Sequence, residues 1–152
     1  GWLALGEEIG RPAQVFRLAG IYGPGRSALD KLRAGKARRI VKPGQVFNRI
    51  HVEDIASVLE ASIARPRARA IYNVADDEPA PPEDVVTYAA ELLGIEPPPE
   101  VPFEEADLTP MARSFYGDSR RISNALIKSE LGVRLAYPNY RQGLKALADA
   151  AR

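Results

Sequence analysis

Cysteine is absent from all 152 residues. That excludes a disulfide framework, an iron–sulfur cluster, a thiol nucleophile and a cysteine-ligated zinc. Histidine occurs once, as His51, so a multi-histidine metal site is excluded too. Neither sign of charge prevails: 21 Lys and Arg stand against 20 Asp and Glu, a net charge of +1, without the basic excess of a nucleic-acid-binding domain. No apolar run approaches the roughly 20 residues that cross a bilayer, and the opening Gly-Trp-Leu-Ala-Leu-Gly-Glu-Glu lacks the basic-then-apolar layout of a signal peptide. The expectation is a soluble, cytoplasmic protein with no nucleic-acid or membrane partner.

What is present is ordinary for one globular unit over residues 1–152, with 45% hydrophobic and 27% charged residues. The first residue is not methionine, and Trp2, Leu3, Leu5 and Ile9 open in mid-pattern before Gly10 and Pro12. This reads as the tail of a longer helix, and the chain as a piece of a longer polypeptide. Gln14-Val15-Phe16-Arg17-Leu18 is β-prone and leaves into Gly20, Gly23, Pro24 and Gly25, a strand followed by a loop. Ser27, with Asp30 three residues on, starts a helix over about 28–34 that Gly35 stops. Lys42-Pro43-Gly44-Gln45 is a tight turn between Arg39-Ile40-Val41 and Val46–Ile50, which predicts a β-hairpin. Ile55, Val58, Leu59 and Ile63 recur at helical spacing behind Glu53 and Asp54, carboxylates suited to a helix amino terminus.

Ala70-Ile71-Tyr72-Asn73-Val74-Ala75 reads as a parallel strand buried on both faces. A helix opens at Pro81-Pro82 and stops at Gly94, and Pro97 to Pro110 reads as an irregular surface excursion. Two helices close the chain. One covers about 124–131 with Ser123 as N-cap and Gly132 as stop; the other starts at Asn139, with Gln142 as reciprocal cap. Alternation of strand and helix makes the class α/β.

Few residues stand out chemically. Gly20-Ile21-Tyr22-Gly23-Pro24-Gly25 follows a strand and precedes a helix, but it runs G-x-x-G-x-G, and its proline removes a backbone donor that a phosphate would use. A ligand-facing loop is the better reading, because ligands of open α/β sheets collect beyond the carboxyl ends of the strands. His51 lies between a strand and a helix, either beside a cleft or as a hydrogen-bonded residue fixing the junction. Adjacent carboxylates such as Asp76-Asp77 point apart in extended backbone and cannot share a proton, which sets them aside as an acid–base pair. The chain holds no Tyr-x-x-x-Lys pair.

Arg17-Leu18-Ala19-Gly20-Ile21-Tyr22-Gly23-Pro24-Gly25 resembles the extended short-chain dehydrogenase/reductases, the NAD-dependent epimerase/dehydratase family. Ile50-His51-Val52-Glu53-Asp54-Ile55-Ala56, Tyr72-Asn73-Val74-Ala75 and Glu130-Leu131-Gly132 are similar, in order, to later motifs of that family. Pro110-Met111-Ala112-Arg113-Ser114-Phe115-Tyr116 resembles its YeeZ-like branch. The resemblance implies the carboxy-terminal half of such a protein: the late strands of a Rossmann-type parallel sheet plus a small α+β substrate-binding lobe. The half bearing the dinucleotide loop and the catalytic Tyr/Lys helix is absent, so the chain alone is expected to be inactive and to bind NAD or NADP weakly.

The resemblance implies that the backbone of Ala19, Gly20, Ile21 and Tyr22 lies against the nicotinamide. Ligand-facing loops place substrate contacts at Tyr22, Arg26, Asn48, Arg49, His51, Arg113, Phe115 and Tyr116. Gly20 and Phe47 stand where sugar-nucleotide members carry Asn and Arg, which argues against a diphosphate-bearing substrate; Arg49, on the same strand face as Phe47, offers a replacement charge. The parent function is expected to be NAD(P)-dependent redox chemistry on a small or sugar-like carbonyl or alcohol, in a protein compatible with a homodimer. A non-catalytic, cofactor-dependent binding or sensor protein is the competing class.

Overall fold

The computed structural model describes residues 1–151. In chain order the elements are α1 (Trp2–Glu8), β1 (Val15–Leu18), β2 (Gly20–Tyr22), α2 (Ala28–Arg33), β3 (Arg39–Val41), β4 (Arg49–His51), α3 (Val52–Ala64), β5 (Ile71–Val74), α4 (Pro82–Leu93), β6 (Glu100–Pro102), α5 (Pro110–Ser114), α6 (Ala125–Ser129) and α7 (Tyr140–Ala150). All three strand pairs among them are parallel.

β1 and β2 form one extended run that changes partner at Ala19. β1 pairs with β5, Val15 opposite Ile71 and Leu18 opposite Val74, whereas β2 pairs with β4, Gly20 opposite Arg49 and Tyr22 opposite His51. The switch is continuous, because the Ala19 N–H donates to the Val74 carbonyl (3.0 Å) and the next N–H, of Gly20, to that of Asn48 (3.1 Å). The Asp76 N–H then donates to the Arg49 carbonyl (2.7 Å), tying the end of β5 to β4. The carboxyl ends of β2, β4 and β5 are thereby held side by side.

Local signals set the helix ends. Ser27 Oγ accepts from the Asp30 N–H at the start of α2 (3.4 Å), and Asn139 Oδ1 from the Gln142 N–H at the start of α7 (3.1 Å). Pro82 opens α4, and Gly94, at φ +66, closes it in the left-handed region. At α6 the N-cap is Asn124, not Ser123, although Ser123 Oγ does accept from the Ala125 N–H (3.3 Å).

Three expectations about strands need correction. The turn at 42–45 forms, with the Gln45 N–H on the Lys42 carbonyl (3.0 Å) and Gly44 at φ +77, but no hairpin follows. Its arms separate: β3 pairs with β6, while Phe47 exchanges two backbone hydrogen bonds with Ala80. A turn with positive φ only at its second central residue twists against paired strands and splays them. The 97–110 excursion contains β6, whose Pro102 is tolerated because the strand is an edge and needs no N–H there. β5 is not buried on both faces: Tyr72 and Val74 are buried, whereas Ile71 on the opposite face is 40% exposed. A further short helix, α5, interrupts the region before the closing pair, with Thr109 Oγ1 accepting from the Ala112 N–H (3.2 Å).

Three cores result. Ile50, Val58, Tyr72, Val74, Ile127 and Leu131 pack α3 and α6 on one face of β5. Leu29, Val85, Ala89, Tyr140 and Leu144 join α2, α4 and α7. Ile40, Ala106 and Tyr116, with Phe47, Val101 and Phe103 against them, close the small lobe built on β3 and β6.

Candidate functional site

Tyr22 ends β2, His51 ends β4 and Asp76 lies two residues beyond β5, and all three are buried. This is the strand-end position at which ligands of open α/β sheets bind.

His51 caps α3 through its ring: Nδ1 accepts from the Glu53 N–H (3.3 Å). The neutral ring therefore carries its proton on Nε2, a buried atom with no partner among the described residues. Burial lowers the His51 pKa, and the ring meets Tyr22 edge-on (5.1 Å between centroids) and Tyr137 at 4.1 Å. The junction-fixing role anticipated for His51 is thus present in the geometry.

Asp54, one helical turn on, is wholly buried, and its two carboxylate oxygens accept from the N–H groups of Ala136 (2.7 Å) and Tyr137 (3.1 Å). It pins the segment that leads into α7. Sequence reasoning placed it only at a helix start, because nothing local announces partners more than 80 residues away.

The Tyr22 hydroxyl is buried without a partner among the described residues, and burial, followed by the charges of Asp76 and Asp54, raises its pKa. It abuts the first turn of α7 so closely that a Cβ on Gly143 would lie 2.0 Å from it.

Asp76 changes the sequence reading most. The neighbouring carboxylates do point apart: Asp77 binds Lys128 (2.5 Å) and Asn124 (2.7 Å), whereas Asp76 turns inward. The two carboxylates therefore share no proton, as expected, and the burial of Asp76 is what the sequence did not announce. Its Oδ1 accepts from the Glu78 N–H (3.2 Å) and its Oδ2 has no partner among the described residues. Burial pushes its pKa up to about 7, against the lowering effects of the Glu78 N–H and of Arg49.

Arg49 reaches the same region. Its Nη1 donates to the carbonyls of Phe47 (2.9 Å) and Ala80 (3.1 Å), clamping the Phe47–Ala80 bridge. Burial lowers its pKa, and the charge of Asp76 is the largest influence opposing that. Of the anticipated contacts, Tyr22 and Arg49 therefore interact with Asp76, and His51 packs on Tyr22.

The others lie apart or are occupied. Asn48 pins a loop, donating to the Arg120 carbonyl (2.8 Å) and accepting from the Ile122 N–H (2.9 Å). Arg113 donates to the Ala106 carbonyl (2.9 Å) and lies over the Phe103 ring at 4.8 Å. Tyr116 is buried between Phe103 and Phe47, and Lys42 donates to its carbonyl. Phe115 is 64% exposed at the end of α5, and Arg26 is exposed in a turn closed by reciprocal backbone bonds with Gly23.

Of the backbone stretch from Ala19 to Tyr22, Gly20 is exposed and has no side chain, so it fits the approach of a flat ring. The chain carries no G-x-G-x-x-G loop for a pyrophosphate. Among the described residues no group of three or more His, Asp or Glu side chains could hold a metal ion, and no helix is long and apolar enough to cross a membrane.

No family model matches the chain. It is 32% identical over 132 residues to protein YeeZ of Escherichia coli K12, a match covering 86% of this chain and 43% of that protein. It is 30% identical over 141 residues to a Streptomyces 3-diazoavenalumate denitrifying reductase, covering 86% and 45%. Among solved structures, a functionally unknown conserved protein from Silicibacter pomeroyi superposes with a TM-score of 0.90 at 62% identity, covering 99% of this chain and 51% of that one. The dTDP-glucose 4,6-dehydratase of Bacillus anthracis, solved with NAD, gives 0.73 at 21% identity, covering 97% and 47%. The fold is the Rossmann-type α/β fold of NAD(P)-binding epimerases and dehydratases. The chain spans about half the length of the curated relatives that it matches.

Proposed function

We propose that this chain is the carboxy-terminal, substrate-facing half of an extended short-chain dehydrogenase/reductase of the YeeZ-like branch. The whole protein transfers hydride between NAD or NADP and a small or sugar-like carbonyl or alcohol, and it works in the cytoplasm as a homodimer. The observation that carries this reading is the parallel β1–β5 and β2–β4 pairing, which brings Tyr22, His51 and Asp76 to the carboxyl ends of three strands, with Arg49 at the start of β4 close enough for its charge to act on Asp76. The reductase named among the relatives supports redox chemistry, and neighbours solved with NAD or NADPH support the cofactor.

The other half contributes the glycine-rich loop and the Tyr-x-x-x-Lys pair. It packs on the open face of β1 and β5, where Ile71 is exposed. The Ala19–Tyr22 backbone borders the nicotinamide, and substrate meets Tyr22, Arg49 and His51, while Asn48, Arg113 and Tyr116, already bonded or enclosed, shape the lobe. Cations of the small lobe support a substrate without a diphosphate, since Lys42 and Arg113 are already bound to backbone carbonyls.

The test is titration of the full-length protein and of this chain with NADH and NADPH by calorimetry, followed by an assay of dinucleotide oxidation against a panel of small carbonyl compounds. The full-length protein binds one dinucleotide at micromolar concentration and turns over, and the chain alone does neither. Binding without turnover across the panel supports the sensor class instead. Micromolar binding by the chain alone overturns the division of labour.

A further inference from the structure

Two charged groups near the strand ends, half-buried Arg49 and buried Asp76, lack the partner that each would ordinarily have. Arg49 is bonded to two neutral carbonyls, of Phe47 and Ala80, and Asp76 to one N–H, of Glu78, with Oδ2 left over. No direct ion pair joins them among the described residues, yet the backbone couples them rigidly through the Asp76 N–H on the Arg49 carbonyl (2.7 Å). A guanidinium has five N–H donors, and the two bonds of Arg49 leave from one nitrogen. The fork is anchored by one tine, with donors to spare, beside a carboxyl group whose charge is compensated only at a distance.

We propose that Asp76 is a positioning residue for Arg49, a proton-carrying counter-group whose charge state sets how strongly the anchored guanidinium attracts an oxyanion of the substrate. This rests on Arg49 being a substrate contact, and it adds a residue that the reading above does not assign. Ionised Asp76 cancels part of the Arg49 field in a site where burial weakens solvent screening. Protonated Asp76 leaves that field to the ligand. Because the Asp76 pKa lies near 7, the balance moves within the neutral range, and oxyanion affinity rises as pH falls.

The surrounding charges do not take over this role. Arg49 from β4 and Tyr22 from β2 face Asp76, and Asp77 and Glu78 adjoin it in the same loop. Asp77 is paired with Lys128 and Glu78 with Arg141 of α7. Tyr140 of α7 and Tyr116 of the small lobe face Arg49, and burial raises the pKa of both phenols. His51 lies across Tyr22, its pKa lowered, so it stays neutral above its ordinary value.

The experiment follows the Arg49 side-chain Nε–H resonance of the full-length protein between pH 5.5 and 8.5, with and without sulfate, whose charge is constant over that range. The expected result is a titration of the resonance with a midpoint near pH 7, and about tenfold tighter sulfate binding at pH 5.5 than at 8.5. Asp76→Asn removes the titration and holds sulfate affinity at the low-pH level. Asp76→Ala also removes it, with its melting temperature recorded to separate loss of fold from loss of charge. A resonance that does not titrate, or a sulfate pH dependence that survives Asp76→Asn, overturns the proposal. A resonance that titrates but ignores sulfate at every pH refutes Arg49 as the substrate contact, while the electrostatic link to Asp76 stands.

Discussion

The β1–β5 layer and the small lobe treat their aromatic and apolar residues in opposite ways. In the lobe, Tyr116 is enclosed by Phe103 and Phe47, and Lys42 and Arg113 lie over the Phe103 ring with their charges satisfied by backbone carbonyls. In the layer, one face of β5 buries Tyr72 and Val74, and the other leaves Ile71 to solvent beside Arg17. The lobe closes on itself, whereas the layer is finished on one side. At the strand ends, the buried polar atoms Tyr22 Oη, His51 Nε2 and Asp76 Oδ2 have no partner among the described residues.

The largest effect expected from breaking this arrangement is at Asp54, which ties the layer to the segment leading into α7. Asp54→Ala leaves the N–H groups of Ala136 and Tyr137 without acceptors and should cost about 3–5 kcal/mol, read as a shifted midpoint in urea unfolding at constant slope. An unchanged midpoint would show that the two halves of the strand-end region are held together by something else.

Next comes the pH dependence that Asp76 brings. Its pKa in the folded chain, about 7, exceeds its unfolded value, so the folded state binds the extra proton between roughly pH 4 and 7. The sign follows: the stabilisation is complete below the unfolded pKa, declines as pH rises, and is gone above about 7. Relative to Asp76→Asn, the wild type should therefore lose about 2–4 kcal/mol between pH 4 and pH 8. Parallel stability curves for the two proteins would place the Asp76 pKa back in the ordinary range.

A smaller loss is expected at Gly143, where an added methyl group meets the Tyr22 ring. Gly143→Ala should destabilise by about 1–3 kcal/mol, and Tyr22→Leu in the same chain should recover part of that loss, a coupling measured by a double-mutant cycle. Additive costs would mean that α7 moves away from β2 instead of pressing on it.

These expectations separate what local sequence shows from what it cannot. Ser27, Gly35, Gly94, Gly132 and Asn139 mark helix ends by chemistry that acts within four residues, and the structure has each where expected. The Pro43-Gly44 turn was equally legible, but a turn fixes a reversal and not the pairing beyond it, so β3 finds β6 some 60 residues away. The same distance hides the site. Tyr22, Arg49 and His51 are signalled by their place at strand ends, whereas the burial of Asp76 arises only once β4 and β2 lie beside the end of β5.

The last and smallest effect tests the open face itself. Ile71→Thr preserves the β-branched shape and strand propensity, and the side chain is 40% exposed, so unfolding of this chain should change by less than about 0.5 kcal/mol. Ile71 should behave differently in the full-length protein if the remaining half packs on this face, because a hydroxyl would then be buried without a partner at a cost of about 1–3 kcal/mol. Tyr72, one residue on and fully buried against Phe16, serves as the control: Tyr72→Ala should cost about 3–5 kcal/mol in both proteins. Equal, small effects of Ile71→Thr in the two proteins would leave the face open in both and refute the packing proposed for it, with no bearing on the closed lobe.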